Sequence, residues 1–228
     1  MANKIGIVTG IKLEDALLRK GFKQAGHDVL TACAAGTVAG AQSAAQNLIG
    51  QGATHLISFG VCGGLSPYVK AGDLILADSV IMNGETIELK SAWHKAALKG
   101  SNMAAKSGAM LSVATAISTP EAKHAAYEDS HAVAVDVESF AVAKAAKDNG
   151  LPSLIIRSVL DGAKQSLPEA ALSGVDENGN TQIWPVIKSL MKRPKDLPAL
   201  LDLARDSSRA QDTLKAAIRD GAPEFWFS

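Results

Sequence analysis

The stretch that decides the fold is HAVAVDVESFAVAKAAKDNGLPSLIIRSVLDG, residues 131–162. Its first five residues, 131–135, are apolar and rich in β-branched side chains, which predicts a short buried strand. Residues 139–149 change to helical spacing, and the Asn-Gly and Leu-Pro pairs at 149–152 predict the end of that helix. Residues 154–160 form a second aliphatic run. We therefore expect a strand–helix–strand unit whose two strands are parallel neighbours in one sheet.

Each strand of this unit is followed by a carboxylate, Glu138 after the first and Asp161 at the end of the second. Ligands of open α/β sheets bind at the carboxyl ends of the strands, so two acids at that edge favour a binding site. An acid at a strand-to-helix junction is also typical of a helix cap or a charge that complements the helix dipole. Spacing alone leaves both interpretations open for Glu138 and slightly favours the structural one for Asp161.

Composition and charge narrow the class of protein. The chain has 228 residues, 47% of them hydrophobic and 20% charged, enough for one large α/β domain with a buried core. Lys plus Arg equals Asp plus Glu at 23 each, which gives no general basic field for nucleic acid. Cys33 and Cys62 lack metal-ligand spacing and are interpreted as structural thiols in a reducing compartment. With no targeting segment and no apolar run near the ~18 residues of a spanning helix, we predict a cytoplasmic protein.

The opening segment supplies a third acid. KIGIVTG, residues 4–10, predicts a strand that ends at a glycine, and a helix is expected from Asp15 to about residue 26. Glu14 lies between them; taken alone, it is better explained as a first-turn charge than as a functional residue. The loop lacks Gly-x-Gly-x-x-Gly spacing, which disfavours a dinucleotide-binding oxidoreductase.

The middle of the chain continues the alternation. Strands are expected at 27–32, from 55 into a glycine-rich turn, at 73–82 and at 109–117, and helices at 37–51, at 91–99 and from Thr119 onward. Glycines at 60, 63 and 64 would let backbone amides approach a ligand, although a turn needs glycine for its own reasons.

Several of these motifs together resemble one family. Val135-Asp136-Val137-Glu138-Ser139 followed by IRSVLD at 156–161, the opening IGIVTGIKLEDALLRK, and VKAGDLIL at 69–76 resemble the purine nucleoside phosphorylase and nucleosidase superfamily, over roughly residues 4–162. The resemblance implies a three-layer α/β/α fold with a mixed central sheet. It implies that Glu138 holds the ribose hydroxyls, that Asp161 protonates the purine N7, and that Glu14 activates water. The sequence departs from the family at Leu160, where Ser or Thr usually precedes the aspartate.

The resemblance also implies a set of substrate contacts and no cofactor. The segment 116–119 matches the one that packs against the purine ring, and the loop 60–64 matches the one that lies against the ribose and the nucleophile. Besides Glu138, the implied substrate-binding residues are Val137, Ile117, Ser118, Gly60, Val61, Gly63 and Arg157. Neither a metal nor an organic cofactor is expected.

Two positions bear on the nucleophile. The family's phosphorylases bind phosphate with an arginine just before the glycine-rich loop and a hydroxyl inside it, and this chain has Ser58 and Val61 there. A phosphate dianion without those partners would be poorly neutralised. We therefore expect hydrolysis rather than phosphorolysis.

The C-terminal region narrows the resemblance. Residues 166–206 are similar to the end of the hopanoid-associated phosphorylases, members of the same superfamily that are linked to adenine release from adenosylhopane. The implied substrate is then an adenine nucleoside that carries a lipid. A methylthioadenosine/adenosylhomocysteine nucleosidase, a purine nucleoside phosphorylase, and a non-catalytic nucleoside-binding module remain alternatives.

The tail allows two interpretations. An apolar helical stripe, basic residues at 188–195 and the aromatic end at 225–227 fit peripheral membrane contact by a membrane-associated protein. A helix that covers its own core or a partner subunit of a homo-oligomer is the commoner explanation. The stripe consists of Leu197, Leu200, Leu201, Ala204, Leu214 and Ile218. We predict a single domain over 1–228, with a helical C-terminal extension over about 166–228.

Overall fold

The structure, a computed structural model, describes residues 3–24, 29–100, 104–168 and 197–220. The described residues form eight strands and six helices. The strands are β1 (Ile5–Thr9), β2 (Leu30–Cys33), β3 (His55–Gly64), β4 (Leu74–Met82), β5 (Glu85–Glu88), β6 (Lys106–Ser112), β7 (Ala134–Asp136) and β8 (Ser153–Asp161). The helices are α1 (Lys12–Gln24), α2 (Val38–Gly50), α3 (Ala92–Gly100), α4 (Pro120–Ser130), α5 (Ser139–Asp148) and α6 (Leu197–Asp220).

The described strands form one mixed sheet that closes on itself in part. Its order is β2-β1-β3-β7-β6-β4-β5, and β8 pairs with both β3 and β4. Because β8 bridges those two strands, β3, β7, β6, β4 and β8 make a ring of hydrogen-bonded strands. β8 runs parallel to β3 and antiparallel to β4. The prediction of an α/β fold with a mixed central sheet is confirmed.

The pairing predicted for the 131–162 unit was wrong. β7 and β8 lie on opposite edges of β3, where Gly63 faces Val135 of β7 and Asp161 of β8. β7 runs antiparallel to β3, so the two strands of the unit are not parallel neighbours. β3 is ten residues long and pairs with three strands, and such non-local pairing leaves no trace in the pattern of residues 131–162. β7 also starts three residues later than predicted, because His131 ends α4 in a left-handed conformation with φ 54°.

Two further differences concern the middle of the chain. The strand expected at 109–117 is β6, Lys106–Ser112, which pairs in parallel with β4. The first residues of β6 are polar or glycine, so the start of the strand was not recognised in the sequence. Residues 113–119 form a loop. Strand β5 was not predicted; it joins β4 through Asn83 and Gly84, whose φ angles are 50° and 80°. An Asn-Gly pair between two strands is the usual signal of such a hairpin.

Helices pack on both faces of the sheet. On one face, α1, α3 and α6 bury Leu18, Phe22, Trp93, Leu214 and Ile218 against β1, β3, β4 and β8. On the other face, α2 and α5 pack small residues, mainly alanines, against Val8 and Leu56. A Cβ on Gly21 would lie only 2.6 Å from the Ile218 side chain, so this glycine lets α6 approach α1 closely. The contact fixes α6 next to the amino-terminal part of the fold.

The predicted apolar stripe of α6 divides into two halves. Leu214 and Ile218 are buried in the core, whereas Leu197 and Leu201 are 45% and 53% exposed. The basic and aromatic segments at 188–195 and 225–227 lie outside the described residues, as does most of the 166–196 stretch. No helix in the described ranges is both long and apolar enough to span a membrane. Membrane contact, the homo-oligomer and the single-domain boundary of 1–228 stay predictions.

Candidate active site

The candidate site lies where β1, β3 and β8 end. These three strands are parallel, so their carboxyl ends meet at one edge of the sheet. Glu14 comes from the first turn of α1, directly after β1, and Asp161 is the last residue of β8. β7 meets the end of β3 at Gly63 and Gly64, which brings Glu138 to the same edge. The three predicted acids are therefore carried to one region by three different strand ends.

Glu14 and Glu138 share a glycine. A Cβ on Gly10 would lie 2.9 Å from Glu138 Oε1 and 3.3 Å from Glu14 Oε2, so both carboxylates lie against the same backbone position. Gly60 has the corresponding place between Glu14 and Arg157. A Cβ there would lie 2.5 Å from Arg157 Nη1 and 2.6 and 2.7 Å from the two Glu14 oxygens. Only glycine fits at these two positions while the charged groups remain in place.

Arg157 is the centre of a buried charge cluster. Its side chain is 1% exposed, and Nη2 lies 2.7 Å from Asp136 Oδ2 and 3.2 Å from Glu138 Oε2. Nη2 also donates to Ser58 Oγ at 2.8 Å. Burial lowers the pKa of Arg157, but the carboxylates of Asp136, Glu138 and Glu14 more than offset that effect, and the net shift is upward. The guanidinium of Arg157 thus interacts electrostatically with three carboxylates.

Asp136, and not Glu138, accepts hydrogen bonds from the start of helix α5. The Ser139 N–H and hydroxyl, at the start of α5, donate to Asp136, and the Ser112 hydroxyl donates to Asp136 Oδ1 at 2.7 Å. Glu138 makes no side-chain hydrogen bond that caps α5. The sequence alone allowed Glu138 to be the cap of α5, but Asp136 accepts from the Ser139 N–H instead. Glu138 is thereby left to face the cavity, held by Arg157.

Glu14 accepts hydrogen bonds both from the residues just before its own helix and from the glycine-rich strand β3. Its Oε2 accepts from the N–H groups of Gly10 at 2.9 Å and Ile11 at 3.1 Å, as a first-turn acid would. Its Oε1 accepts from the Val61 N–H at 2.9 Å, across 47 residues of sequence. A carboxylate oxygen can accept two hydrogen bonds, so Oε1 retains one accepting position beyond the Val61 contact.

Burial sets the proton affinity of the two glutamates. Burial raises the pKa of Glu138 to about 7, with Arg157 opposing and Asp136 and Glu14 adding to the rise. The pKa of Glu14 is also raised by burial, against the lowering effect of Arg157 and of the backbone N–H donors. Both carboxylates therefore take up protons more readily than exposed ones and are stronger bases when ionised.

Asp161 is paired with a lysine. It is 2% exposed, and one of its oxygens accepts from Lys123 Nζ, which is completely buried. Burial raises the pKa of Asp161, and the Lys123 ammonium opposes the rise. Gly63 leaves room beside the carboxylate, because a Cβ there would lie 3.7 Å from both Asp161 oxygens.

A cavity of about 170 Å³ joins these residues. Of the predicted site residues, Val61, Gly63, Ile117, Val137, Glu138 and Asp161 line it. Gly60, Glu14 and Arg157 do not line it, but they adjoin residues that do. Arg157 pairs with Glu138, Glu14 accepts from the Val61 N–H, and Gly60 directly precedes Val61. Ser118 does not line it, and its carbonyl accepts from the Leu167 N–H at 2.8 Å. Two larger cavities, of about 450 and 480 Å³, lie elsewhere and contain none of the three predicted acids.

Two residues of the site were missed from the sequence. Asp136 stands within the motif that drew attention to Glu138, and an acid three residues before a helical serine is a capping signal that could have separated their functions. Lys123 had no signal of its own, because a lysine in a polar helix is normally solvated. Within the ranges that the structure describes, no group of three or more His, Cys, Asp or Glu is arranged to hold a metal ion.

Comparison with known proteins identifies the family of this chain. A family model described as the phosphorylase superfamily matches residues 19–184, which include Glu138 and Asp161 and begin after Glu14. The match covers well over half of the chain, so the protein belongs to the phosphorylase superfamily and is an enzyme of it. A search of curated protein sequences gives no significant match.

Solved structures with the same fold include a futalosine hydrolase and two methylthioadenosine/adenosylhomocysteine nucleosidases. Futalosine hydrolase of Helicobacter pylori is 19% identical with a TM-score of 0.67, covering 84% of this chain and 98% of its own. A methylthioadenosine/adenosylhomocysteine nucleosidase of Colwellia psychrerythraea, in complex with adenine, is 21% identical with a TM-score of 0.67, covering 83% and 96%. The H. pylori enzyme of that kind, in complex with a pyrrolidine compound, is 17% identical with a TM-score of 0.66, covering 84% of this chain and 99% of its own. At such identities these structures establish the fold alone.

Proposed function

We propose that the protein is a nucleosidase that hydrolyses the N-glycosidic bond of an adenine nucleoside, with adenosylhopane as its substrate. The observation that carries this proposal is the meeting of three buried carboxylates at one edge of the sheet. Glu138 and Asp161 line one small cavity, and Glu14 contacts its lining through the Val61 N–H and lies with Glu138 against Gly10. Cleavage of such a bond needs a proton for the leaving base, support for a cationic sugar, and a nucleophile at C1′. We assign one of these tasks to each acid.

Asp161 is assigned to the leaving base. It lies on the cavity wall beside Gly63, and the same wall carries Ile117 and Val137, which offer an apolar surface for a purine ring. Protonation at N7 lets adenine leave as a neutral molecule. A carboxyl whose pKa is raised by burial is suited to that transfer near neutral pH.

Glu138 is assigned to the sugar. Its carboxylate is free of the helix cap, lines the cavity and is oriented by Arg157. When ionised, it can accept hydrogen bonds from the ribose hydroxyls and stabilise the positive charge that develops on the sugar. Arg157, which the resemblance implied as a substrate contact, acts in this assignment by holding Glu138 in place, since its own side chain is buried.

Glu14 is assigned to the nucleophile, and the charge balance favours water. Three carboxylates surround Arg157, so a phosphate dianion would enter a region that already carries excess negative charge. The two positions expected to bind phosphate are also engaged. Ser58 accepts from Arg157 at 2.8 Å, and Val61 gives its N–H to Glu14. A neutral water bonded to the remaining position of Glu14 Oε1 would not meet that repulsion.

The lipid part of the proposal rests on resemblance over residues 166–206, of which 169–196 lie outside the described residues. The small cavity is below the ~300 Å³ at which pockets usually begin to hold a complete ligand. It therefore fits a base with part of its sugar, and the 5′ substituent would extend beyond it. Solved neighbours described as methylthioadenosine/adenosylhomocysteine nucleosidases favour a smaller 5′ group as the alternative.

A substrate panel tests the proposal. Adenine release is measured by chromatography with adenosine, methylthioadenosine and detergent-dispersed adenosylhopane, using Asp161→Asn as the control for contaminating activity. We expect adenine from the wild-type protein and the highest kcat/KM with adenosylhopane. Preference for methylthioadenosine would overturn the lipid assignment and support the alternative. No adenine from any of the three would overturn the nucleosidase assignment itself.

A further inference from the structure

Lys123 is a buried cation in an otherwise polar helix. All residues of α4 are described, and among them Lys123 alone is buried, with 0% of its surface exposed. Lysine is almost never fully buried unless it is paired, because the unpaired ammonium loses its hydration. The position of Lys123 therefore depends on the groups that meet its Nζ.

Three acceptors meet that nitrogen. Nζ donates to Asp161 Oδ2, to the Gly162 carbonyl at 2.9 Å and to the Gln165 carbonyl at 2.8 Å. An ammonium has three N–H donors and no acceptor, so all three hydrogens are used. This is the arrangement of a charged lysine bonded to a carboxylate.

The loop that supplies two of these acceptors is itself fixed. Gln165 accepts from the Gly162 N–H at 2.6 Å through its side-chain oxygen and donates to Asp206 Oδ2 at 2.7 Å. Asp206, on α6, is 7% exposed and pairs with Arg209 at 2.8 Å. The carboxyl-terminal helix thus holds the loop that seats Lys123 against Asp161.

The pairing raises a question about the acid. A neighbouring ammonium favours the ionised form of a carboxyl, whereas an acid must carry the proton that it gives away. The proton nearest to an ionised Asp161 is then on Lys123. A donor built from both groups resolves the difficulty, because the ammonium can supply the proton that the carboxylate passes on.

We propose that Lys123 is a positioning residue that acts through Asp161, and that the two together form the proton donor of the nucleosidase reaction proposed above. As the N9–C1′ bond breaks, its electron pair moves into the purine and Asp161 passes a proton to N7. That proton comes from the Lys123 ammonium through the Asp161 carboxylate, so the step leaves a neutral amine beside a carboxylate. Glu14 takes one proton from the attacking water and releases it to solvent, and the pair regains one proton from solvent after adenine leaves.

Other titratable groups that face the pair do not provide an alternative donor. Asp206 on α6 is balanced by Arg209. Cys62 on β3 lies near Asp161, and burial raises the pKa of its thiol well above the usual range, so it stays neutral. On the acidic side of the pH profile, Glu138 has a pKa of about 7 and must ionise before it can bind the ribose hydroxyls. The alkaline side therefore reports the proton donor.

The test is the pH dependence of kcat for the wild type, Lys123→Met and Lys123→Gln, with the exposed Lys144→Met as the matched control. If the pair is the donor, the kcat of the wild type stays constant to above pH 8. Removal of the ammonium then moves the decrease of kcat on the alkaline side to lower pH. At pH 8 we expect kcat to fall at least ~10-fold, with little change in KM. If Asp161 alone is the donor, removal of the cation raises its pKa and shifts the fall to higher pH. That shift, or an unchanged profile, would overturn the proposal.

Folding and activity controls keep the outcomes distinct. Thermal unfolding identifies a variant that does not fold, and Lys123→Gln retains hydrogen-bond donors where Lys123→Met removes them. If neither variant folds, the wild-type profile decides, since loss of kcat well below pH 8 contradicts a donor that includes an ammonium. An inactive wild-type protein would instead remove the proposed function, and this inference with it. An active wild type with insensitive Lys123 variants would remove the inference alone.

Discussion

The Asp161→Asn variant is expected to lose at least ~100-fold in kcat, the usual effect of removing a general acid. Asparagine keeps the size of the side chain and an oxygen that can accept from Lys123, but it cannot carry the transferred proton. The residue lines the cavity and is almost completely buried, so solvent cannot easily replace it as the donor. The measurement is the steady-state rate of adenine release at saturating substrate.

Stability must be measured with that rate, because the substitution leaves the charge of Lys123 without its anion. Breaking one side of a buried ion pair commonly costs about 3–5 kcal/mol. Asp148→Asn is the matched control, since Asp148 forms a solvent-accessible ion pair with Lys144 and neither residue lines the cavity. A folded Asp161→Asn protein with wild-type kcat would show that the acid lies elsewhere.

The second large effect is expected for Glu14→Gln, with a loss in kcat of ~100-fold or more and a smaller change in KM. Glutamine cannot take a proton from water. Its amide must also turn an N–H toward either the Val61 N–H or the Gly10 and Ile11 N–H groups, all of which are donors in the wild type. The variant therefore loses both the base and part of the arrangement that holds it.

Glu85→Gln, on the exposed hairpin strand β5, is the matched control for Glu14→Gln. Adenine release and thermal unfolding are measured for both proteins. A Glu14→Gln enzyme with normal stability and unchanged kcat would contradict the assignment of Glu14 to the nucleophile. The first-turn contacts of Glu14 with Gly10 and Ile11 would then be sufficient to explain its burial.

Features that depend on residues close in sequence could be predicted, and features that depend on contacts between distant segments could not. Helix α5 and strand β8 were predicted nearly to the residue, because apolar periodicity, Asn149-Gly150 and Pro152 are local signals. The ring of strands was not predicted. Its closure depends on β8 pairing with β4 on one side and β3 on the other, and no pattern within β8 records which strands lie beside it.

The candidate site divides in the same way. Glu14, Glu138 and Asp161 each follow a predicted strand, so the edge of the sheet could be expected to collect them. Their pairing could not be expected. The resemblance implied that Arg157 contacts the substrate, but no local pattern paired it with Asp136 and Glu138, and Lys123 lies in a polar helix whose lysines are normally solvated. Both are buried because carboxylates from distant parts of the chain compensate their charge, a condition that only the folded chain satisfies.

The central claim, hydrolysis by a carboxylate-activated water, is tested most directly by the phosphate dependence of the reaction. Purified protein is freed of phosphate by dialysis and assayed with its best substrate in phosphate-free buffer and with added phosphate at constant ionic strength. The sugar product is identified by mass spectrometry. We predict equal rates of adenine release in both buffers and a free reducing sugar as the product. A strict requirement for phosphate, with a sugar 1-phosphate formed, would contradict the claim.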